Sequence, residues 1–495
     1  MSVFNSLADD AEVRERRLQS VTSYEGSASS LVQQSKTGHV KCPGRLYTQC
    51  SDCAVGCAEP ITCHVLDSVV ISHAPIGCSL DSIMHFVLGK SVSETRGLQR
   101  PHRVHMISTN ISEKDTVYGA LDKLRTAILE AERRYHPKAI FIHGSCASGI
   151  IGEDIESAAD EMQAQLGYPV VPIYCEGFKS RIWSYGFDAA FHGLLRKIIK
   201  APRKTQPDLV NIFNFEGSDQ FTGLLKKLDL RVNFLIPLAS VEQIETLTEA
   251  ACTTHICETL ATYLTASLEE LYGVPEVKTT PPFGIDWTDA WLRGIAHYTH
   301  REEKAEEVIA AEHVRIAPQL AALREKLQGK SLYVLSGDSF AHNLANVAKD
   351  LGVRIAGLNT LHHDMHTDNP AQANSLETLL QGTGDIERVT ICNKQPYQLV
   401  KLVQRLQPDL MIVRHQNLTT VGTKLGVPTL FEGDANFSTG YDGVLHFGKR
   451  LVEALATHRI VDNIAAHARL PYTAWWLNHK DIHIKEDEFD EAAKR

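Results

Sequence analysis

Cysteine is the residue type whose spacing most clearly predicts chemistry in this chain. Four of the eleven cysteines fall in QCSDCAVGCAEPITC, residues 49–63. Cys78 follows a glycine in VVISHAPIGCS, and Cys146 lies in HGSCASGIIGEDIES, a second Gly- and Ser-rich turn after an apolar run. Such turns place a thiolate beside the backbone N–H groups of a helix N-terminus, which lowers the thiol pKa and favours metal binding. The cysteines therefore indicate a metal or redox function.

The spacing of these cysteines favours an iron–sulfur cluster over a zinc ribbon. The paired C-x-x-C spacing occurs only at Cys50 and Cys53, whereas a ribbon needs two such pairs. Soft thiolates gathered from separate strand ends suit an iron–sulfur cluster better. A small buried apolar residue is the alternative explanation for any one cysteine taken alone.

Composition and charge exclude several other classes of protein. The chain has 495 residues, with 50 Lys and Arg against 60 Asp and Glu and a net charge of −10. No basic stripe suggests nucleic-acid binding, and no run of apolar residues is long enough to span a membrane. The first forty residues lack the apolar core of a secretory signal, so we expect a cytoplasmic protein with reduced cysteines. The LGKS at 88–91 lacks the upstream glycine of a Walker A loop, and no G-x-G-x-x-G follows a strand.

Short apolar, β-branched runs predict a series of buried parallel strands. The runs lie at residues 67–75, 103–109, 139–146, 169–175, 209–215, 231–237, 331–337, 353–360, 388–393, 410–415 and 428–433. Helical patterns separate them, such as 115–135, where Val117, Leu121, Leu124 and Ile128 form an apolar stripe. The residues of interest, including Cys146, Cys175, Gly337 and His415, fall at strand ends. Ligands bind beyond the carboxyl ends of strands in open parallel sheets.

The alternation of strands and helices predicts an α/β protein with three doubly wound, Rossmann-like domains. We expect an N-terminal tail or arm at 1–41 and an α/β domain at 42–205 that carries the first cysteines. A second α/β domain with a linking helix is expected at 206–329, a third at 330–450, and helices packing back on the body at 451–495. Gly329 is the expected C-cap of the linking helix.

Four motifs together resemble the catalytic α subunit of nitrogenase and its relatives. The motifs are SHAPIGC, GSCASGIIGEDIES, VPIYCEGF and CETLATYLTASLEELYGVP, and the resemblance runs with gaps from about residue 45 to 470. It implies three α/β domains per subunit and an α2β2 assembly with a β-type subunit. It also implies an iron–sulfur cluster of the P-cluster type at the αβ interface and a larger iron–sulfur cofactor inside the α subunit.

The resemblance also implies which cysteines bind these groups. Cys78, Cys146 and one cysteine of the opening group match the interface-cluster ligands. Cys53 is the better match, because DCAVG resembles the family's GCAYAG, and Cys50 is the alternative. Cys257, in the last motif, matches the residue that binds the larger cofactor. Cys252 is expected to be a packing residue, and the sequence assigns no role to the further cysteines Cys42, Cys57 and Cys63.

Several positions depart from the family pattern in a consistent direction. Phe187 stands where the family has the His that helps protonate N2, and Trp183 replaces a nearby Gln. Phe86 replaces an Arg on the cofactor wall, and Gly433 takes the position of the second cofactor ligand, a His. The Lys that meets the organic acid has no clear match in RHQNLTTVG. The predicted pocket has therefore lost proton donors and charge and gained aromatic surface, which favours an apolar substrate.

A histidine-rich segment, LNTLHHDMHTD at 358–368, is expected to compensate in part for these losses. A cofactor-facing Phe of the family aligns near His362. His362, His363 or His366 could bind the free end of the cofactor or donate protons, although a solvated polar loop is the alternative for each. Asp338 and His342, after the strand at 331–337, are also expected to line the cofactor cavity, together with Gly337 at the turn.

The resemblance is strongest to the methylthio-alkane reductases, which cleave C–S bonds of small thioethers and release methanethiol and a hydrocarbon. It implies a partner, an ATP-dependent 4Fe–4S reductase homodimer, which fits the absence of a Walker loop from this chain. The alternatives are a non-catalytic scaffold for cofactor maturation, or a nitrogenase-like reductase of another substrate. Cys257 argues against the tetrapyrrole-reducing branch, which carries no second cluster at this place.

Overall fold

The structure is a computed structural model. It describes residues 7, 8, 10–41, 53–79, 92–94, 96–98, 101–214, 219–236, 238–368, 374–392, 396–414, 419–433 and 438–479. Among the helices in these ranges, none combines the length and the apolar character needed to cross a bilayer.

The described residues form an alternating series of strands and helices. The strands are β1 Ser20–Val21, β2 Ser23–Gly26, β3 Ser68–His73, β4 Met106–Ser108, β5 Ala139–Gly144, β6 Val170–Ile173, β7 Gln206–Phe213, β8 Arg231–Ile236, β9 Ala250–His255, β10 Ser331–Ser336, β11 Arg354–Thr360, β12 His363–Asp364, β13 Val389–Cys392, β14 Leu410–Val413 and β15 Thr429–Phe431. The helices are α1 Arg14–Arg17, α2 Ala28–Lys36, α3 Ala54–Cys63, α4 Asp115–Tyr118, α5 Leu121–Tyr135, α6 Cys146–Ile151, α7 Ile155–Leu166, α8 Tyr185–Lys197, α9 Thr222–Lys226, α10 Val241–Glu245, α11 Glu258–Tyr272, α12 Ile285–Thr299, α13 Glu302–Leu327, α14 Asp338–Asp350, α15 Ser375–Thr383, α16 Pro396–Leu406, α17 Thr419–Lys424, α18 Gly440–Ala456, α19 His458–His467 and α20 Ala474–Asn478. Short 3-10 helices lie at Ile76–Ser79, Leu247–Glu249 and Met365–Asp368.

The first of two compact units consists of Met1–Arg17, Asp52–Lys278 and Arg293–Ala305 as far as these are described. It contains two parallel sheets, one in the strand order β4-β3-β5-β6 and one in the order β8-β7-β9. Every residue of β3 and of β5 is buried, which explains why both strands read as continuous apolar runs.

The second unit consists of Leu18–Ser51, Thr279–Leu292 and Glu306–Arg495, again as far as described. Its six-stranded sheet has the order β15-β14-β10-β11-β13-β2. All neighbouring pairs are parallel except β13 with β2, an antiparallel edge strand. The chain runs outward from β10 in one direction and then returns to β14 on the other side. The gap between β10 and β14 is therefore a topological switch point, where ligands bind in such sheets.

The structure confirms the predicted fold class of parallel sheets flanked by helices, and all eleven predicted strands are present. The predicted domain boundaries remain predictions. The described part of the predicted N-terminal arm carries α1, α2, β1 and β2, and β2 extends the sheet of the second unit.

Two local expectations differ from the structure. The predicted helix at 115–135 is divided into α4 and α5 by Gly119, which has a φ of +88°. Val117 is consequently 73% exposed and does not belong to the apolar stripe. Strand β9 was not predicted, because AACTTH has too few apolar residues to distinguish a buried strand from a loop.

Helices α3 and α8 pack so closely that one position between them accepts only glycine. A Cβ atom built on Gly186 in α8 would lie 1.8 Å from the backbone oxygen of Ala54, the first residue of α3. The glycine therefore sets how near the segment that begins at Cys53 approaches α8.

We predict that Gly186→Ala destabilises the protein by about 1–3 kcal/mol or more, because overpacking forces backbone to move. Thermal unfolding under anaerobic conditions measures the effect. Gly223→Ala is the matched control, since Gly223 is also helical and a Cβ there would meet no atom within 4 Å. Equal melting temperatures for the two variants would show that the contact is not as close as described.

Candidate functional site

Cys78 and Cys146 lie at the same edge of the first sheet. Strands β3 and β5 are parallel neighbours in continuous register from Ser68↔Ala139 to His73↔Gly144, so the loops that follow them leave side by side. Cys78 lies exposed in the 3-10 helix after β3, and Cys146 is the partly buried first residue of α6. The sequence prediction that both cysteines occupy strand-to-helix turns is correct.

The turn at Cys146 is held by a reciprocal pair of serines. The Ser145 hydroxyl accepts a hydrogen bond from Ser148 N at 3.3 Å, and the Ser148 hydroxyl accepts one from Ser145 N at 2.8 Å. This capping box fixes the start of α6 and therefore the direction in which Cys146 leaves the backbone.

Cys53 reaches the same region from a distant part of the sequence. It is the partly buried N-cap of α3. A Cβ atom built on Gly177 would lie 2.9 Å from Cys53 Sγ and 3.6 Å from Cys146 Sγ. Both sulfur atoms thus approach the same backbone position, where a side chain would collide with the Cys53 sulfur. Cys53 and Cys146, whose sulfur atoms both lie near Gly177, and Cys78, on the loop after the neighbouring strand, fit the thiolate set of an iron–sulfur cluster.

The nearby Cys175 differs from these cysteines because it is a buried thiol. Burial raises the pKa of the Cys175 thiol well above its usual range, and the carboxylate of Glu176 raises it further. Its S–H donates to the carbonyl oxygen of Gly144 at 3.5 Å. Cys175 is therefore suited to packing at the end of β6 rather than to metal binding.

The other described cysteines of the first unit also belong to its core. Cys57 and Cys63 are buried among apolar side chains on α3. Burial raises the pKa of Cys252 on β9 to about 12, which agrees with its expected packing role. Cys42 and Cys50 lie outside the described residues, so Cys50 remains the alternative to Cys53.

Cys257 occupies a different place in the first unit, between β9 and α11. It is the N-cap of α11, and its carbonyl oxygen accepts hydrogen bonds from Leu260 N at 3.2 Å and Ala261 N at 3.3 Å. Its partly buried side chain thus stands at the positive end of a 15-residue helix, a place that favours negative charge.

The strand end before Cys257 is held by a buried polar contact. His255 Nε2 lies 3.3 Å from Glu276 Oε1, and the segment of Glu276 pairs with β9 through Val277 N, which donates to Thr253 O at 2.8 Å. These contacts fix the direction in which the chain leaves β9 toward Cys257.

Two aromatic residues pack in the same core as Cys257. Phe187 is buried in that core, and Trp183 and Cys257 pack against it. The rings of Trp183 and Phe187 are 6.4 Å apart. These are the two positions at which the sequence departs from the family's Gln and His, so the departures lie in the same core as Cys257.

The second unit contains a buried cluster of histidines and carboxylates. His363 Nε2 lies 2.8 Å from Asp368 Oδ2, and His363 Nδ1 lies 3.3 Å from Asp338 Oδ1. Asp338 opens α14 directly after Gly337, and His342 lies one turn further along that helix, with Nδ1 at 3.0 Å from the Ser375 hydroxyl. Asn374 donates to Asp368 at 2.6 Å.

The charges in this cluster depend on one another. Burial lowers the pKa of His363, but the carboxylates of Asp338 and Asp368 outweigh this effect and raise it well above its usual range. Burial raises the pKa of Asp338, but the charge of His363 outweighs that effect and lowers it. Burial lowers the pKa of His342 to about 4. His363 is therefore a buried imidazolium held between two carboxylates, and His342 is neutral.

The structure brings some of the predicted site residues of this unit together and not others. Asp338, His342 and His363 form one cluster, and His362 Nε2 lies 3.6 Å from Asp364 Oδ2 at its border. His366 is partly buried in the following 3-10 helix, where its backbone N–H donates to Leu18 O at 3.0 Å. Both ring nitrogens of His363 already face carboxylates, so His363 is less suited to metal binding than the prediction assumed.

Sequence reasoning missed several polar residues at the carboxyl ends of β10 and β11. Ser336 and Thr360 are opposite each other in register, and Asn359 precedes Thr360. Their side-chain oxygens are buried, and among the described residues Ser336 Oγ, Asn359 Oδ1 and Thr360 Oγ1 have no hydrogen-bond partner. Arg414, just after β14, stacks 3.6 Å from the Phe340 ring. The sequence did carry a signal for these residues, because the apolar runs SLYVLSG and VRIAGLNT both end in polar residues. Buried polar atoms require partners, so polar residues at the end of a buried strand indicate a candidate site.

Two of the residues discussed from the sequence lie in parts of the chain that the structure does not describe. His415 and Phe86 lie outside the described residues. Gly433 is described, and a Cβ atom there would lie 2.8 Å from Cε1 of Phe431. In the parts of the chain that the structure covers, no three Cys, His, Asp or Glu side chains are grouped to hold a single metal ion. A cluster differs from a single ion, because each of its iron atoms takes its own thiolate and the ligands lie further apart.

Comparisons with known proteins agree with this fold and these motifs. The chain is 26% identical over 473 residues to the nitrogenase molybdenum-iron protein alpha chain of Methanothermobacter marburgensis, covering 91% of this chain and 96% of that one. It is also 26% identical over 469 residues to the nitrogenase iron-molybdenum cofactor biosynthesis protein NifE of Methanococcus maripaludis, covering 92% of each. The solved structure of nitrogenase Cp1 at pH 5 superposes with a TM-score of 0.71 at 24% identity, over 88% of this chain and 94% of that one.

The sequence profile of one family extends over most of the chain. Residues 53–456 match the family described as nitrogenase component 1 type oxidoreductase. This range contains Cys53, Cys78, Cys146 and Cys257, together with parts of both compact units. The chain therefore belongs to the nitrogenase component 1 type oxidoreductase family.

Proposed function

We propose that this chain is the catalytic α-type subunit of a nitrogenase-like reductase that cleaves the C–S bond of small methylthio-alkanes. The observation that carries the proposal is the aromatic pair Trp183 and Phe187, which packs in the same core as Cys257. The family resemblance places a Gln and a His at these two positions. Aromatic surface favours an apolar thioether over a substrate that needs a relay of proton donors.

The proposed reaction is a two-electron reduction. A thioether R–S–CH3 takes up two electrons and two protons, the R–S bond breaks, and R–H and CH3SH form. The electrons come from a separate ATP-dependent 4Fe–4S reductase, as the resemblance implies. A P-cluster-like group would pass them inward, with Cys53, Cys78 and Cys146 as its ligands from this chain and further ligands from a β-type subunit of an α2β2 assembly.

Exposed apolar side chains support a partner at the cysteine edge. Ile76 is 63% exposed two residues before Cys78, Ile150 is 78% exposed on the helix that Cys146 opens, and Phe178 is 56% exposed next to Gly177. Large apolar side chains grouped around candidate cluster ligands are typical of a surface that a partner covers. The β-type subunit is the partner that this surface fits.

Cys257 is the proposed anchor of the larger iron–sulfur cofactor. That group, when bound, supplies electrons and soft Lewis-acidic iron to the thioether sulfur. The chain contributes the positive end of α11 at the anchoring thiolate, and Trp183 and Phe187 exclude water. The family resemblance implies further roles for His362 and His366, as proton donors or cofactor ligands, and for Gly337, Asp338 and His342, as residues that line the cofactor. His363, held between carboxylates, would position Asp338 rather than bind metal.

A cofactor-maturation scaffold is the second candidate function. The 26% identity to a protein named for cofactor biosynthesis, over 92% of both chains, favours it. Gly433 in place of the second cofactor ligand also suits a scaffold, because a precursor bound by Cys257 alone leaves more easily.

We predict that Cys257→Ala gives folded protein that keeps the interface-cluster iron, loses the iron of the larger cofactor and no longer releases methanethiol. Iron analysis and electron paramagnetic resonance of the anaerobically purified complex measure this. Cys252→Ala is the control, because its thiol is buried in the core, and it should keep both iron groups. Full activity of Cys257→Ala would refute the assignment.

A second substitution pair tests the interface cluster. Cys146→Ala should lose the iron of that cluster, because it removes one of the three thiolates expected from this chain. Cys175→Ala removes a neighbouring buried thiol and should keep the cluster, as measured by iron content per complex. Equal iron loss in both variants would indicate damage to the fold instead of loss of a ligand.

The enzyme and the scaffold predict different outcomes with dimethyl sulfide as the probe. Purified complex with its reductase, ATP and dimethyl sulfide should release methane and methanethiol in equal amounts, measured by gas chromatography. Phe187→His should raise KM for dimethyl sulfide by roughly 10-fold or more, because a polar ring binds the thioether less well. A complex that releases no methanethiol but transfers cofactor to cofactor-free nitrogenase would establish the scaffold function.

A further inference from the structure

We propose that Arg14 is a positioning residue for Cys257. It is inferred to hold the first turn of α11 in place through a buried ion pair with Asp188. The inference rests on the proposed role of Cys257 as the cofactor anchor, and it assigns a function to an N-terminal segment that lies before the family match at residues 53–456.

Arg14 joins two helices of the first unit from a position with no solvent exposure. Its Nε donates to Asp188 Oδ2 at 2.9 Å and its Nη2 donates to Asp188 Oδ1 at 2.8 Å, which makes a two-point contact with α8. The same Nη2 also donates to the carbonyl oxygen of Thr259 in the first turn of α11. Both partners in the ion pair are 0% exposed. One planar guanidinium thus sets the distance and the orientation between α8 and the start of α11.

The carbonyl that Arg14 contacts belongs to the turn that presents Cys257. Thr259 is two residues after Cys257, and the carbonyl of Cys257 is held by Leu260 N and Ala261 N in the same turn. A rotation or fraying of this turn would move the N-cap directly. The contact to Thr259 therefore constrains the thiol position more than a contact further along α11 would.

Arg17 adds a second contact to Asp188 and a contact to a residue further along α11. Its Nη2 donates to Asp188 Oδ2 at 2.6 Å, and its guanidinium carbon lies 5.2 Å from the centre of the Tyr263 ring. Two buried guanidinium groups therefore share one carboxylate, and these three groups together carry a single positive charge. That charge has the same sign as the N-terminal end of α11, which suits the anionic cluster proposed at Cys257.

Polar contacts, and not apolar packing alone, hold the N-terminal segment around Arg14 against the rest of the first unit. Lys179 donates to Asp10 at 3.0 Å and the Ser180 hydroxyl donates to Glu15 at 2.8 Å. A cavity of about 590 Å³ remains between the arm and its surroundings, with Arg17 and Tyr263 among its lining residues. Because packing around the N-terminal segment is incomplete, other close contacts would not compensate for loss of the Arg14 contacts.

The experiment compares three variants of the full-length chain in its complex. Arg14→Leu removes the contacts to Asp188 and Thr259. Arg16→Leu is the matched control, because Arg16 lies on the same short helix but is exposed. Arg14→Leu/Asp188→Leu keeps the net charge of the three groups at +1, because Arg17 remains, and so separates the positioning by Arg14 from its charge. The readouts are iron content in each cluster and hydrogen–deuterium exchange of peptides that contain the Leu260 and Ala261 amides.

We expect Arg14→Leu and the double variant to exchange these amides about tenfold faster or more, and to lose cofactor iron while keeping interface-cluster iron. Arg16→Leu should match the wild type in both readouts. If the double variant restores wild-type exchange and cofactor iron, Arg14 only neutralises Asp188 and the inference is wrong. If Arg14→Leu does not fold, the amide exchange and the cofactor iron of the double variant test the inference by the same criteria. Hydrogen–deuterium exchange can be measured without a cofactor. It therefore tests the positioning role of Arg14 even if Cys257→Ala shows that the proposed function is wrong.

Discussion

The parallel pairing of β3 with β5 is the constraint on which the cysteine edge depends. Six consecutive residue pairs hold these strands in register, and both strands are buried along their whole length. Loops leaving such strands have little freedom at their first residues, so the turns with Cys78 and Cys146 start from fixed points. Iron–sulfur clusters need thiolates at defined separations, and a rigid sheet provides them without a dedicated metal-binding motif. Cys53 joins this edge through α3, whose approach to α8 is limited by Gly186.

The sequence predicts those parts of the fold and site that depend on local patterns. Apolar runs identified eleven strands, because strands buried on both faces leave a continuous apolar signal. Gly- and Ser-rich turns identified the positions of Cys78 and Cys146. Strand β9 gave no such signal, since its threonines resemble a loop, although it leads directly to Cys257. The broken helix at 115–135 was missed because the conformation of Gly119 at φ +88° is not visible in an amphipathic pattern.

Contacts between distant residues could not be predicted in the same way. The approach of Cys53 and Cys146 to Gly177 brings together three segments that only tertiary structure relates. Arg14 and Asp188 are 174 residues apart, and a polar, serine-rich beginning of the chain gave no sign that one of its arginines is fully buried. The buried oxygens of Ser336 and Thr360 depend on the register of β10 and β11. Each case requires knowledge of strand order or helix packing, which a single sequence does not supply.

The histidine cluster shows how burial changes the chemistry expected from a residue type. Histidines near a cofactor are natural candidates for proton donors or ligands, and the sequence places three of them together in LNTLHHDMHTD. In the folded unit, His363 is enclosed by two carboxylates and stays charged, whereas burial keeps His342 neutral. A charged histidine paired on both sides holds its proton tightly, so it stabilises the local arrangement and does not exchange protons readily. The proposal therefore assigns any proton supply in this segment to His362 or His366. A reductase that moves only two protons per turnover needs fewer proton donors than the reduction of N2, and a scaffold needs none, so the loss of His363 as a ready donor is compatible with both proposed functions. Trp183 and Phe187, in the same core as Cys257, are the observation that favours the proposed thioether reductase over the scaffold, because an apolar substrate gains from aromatic surface.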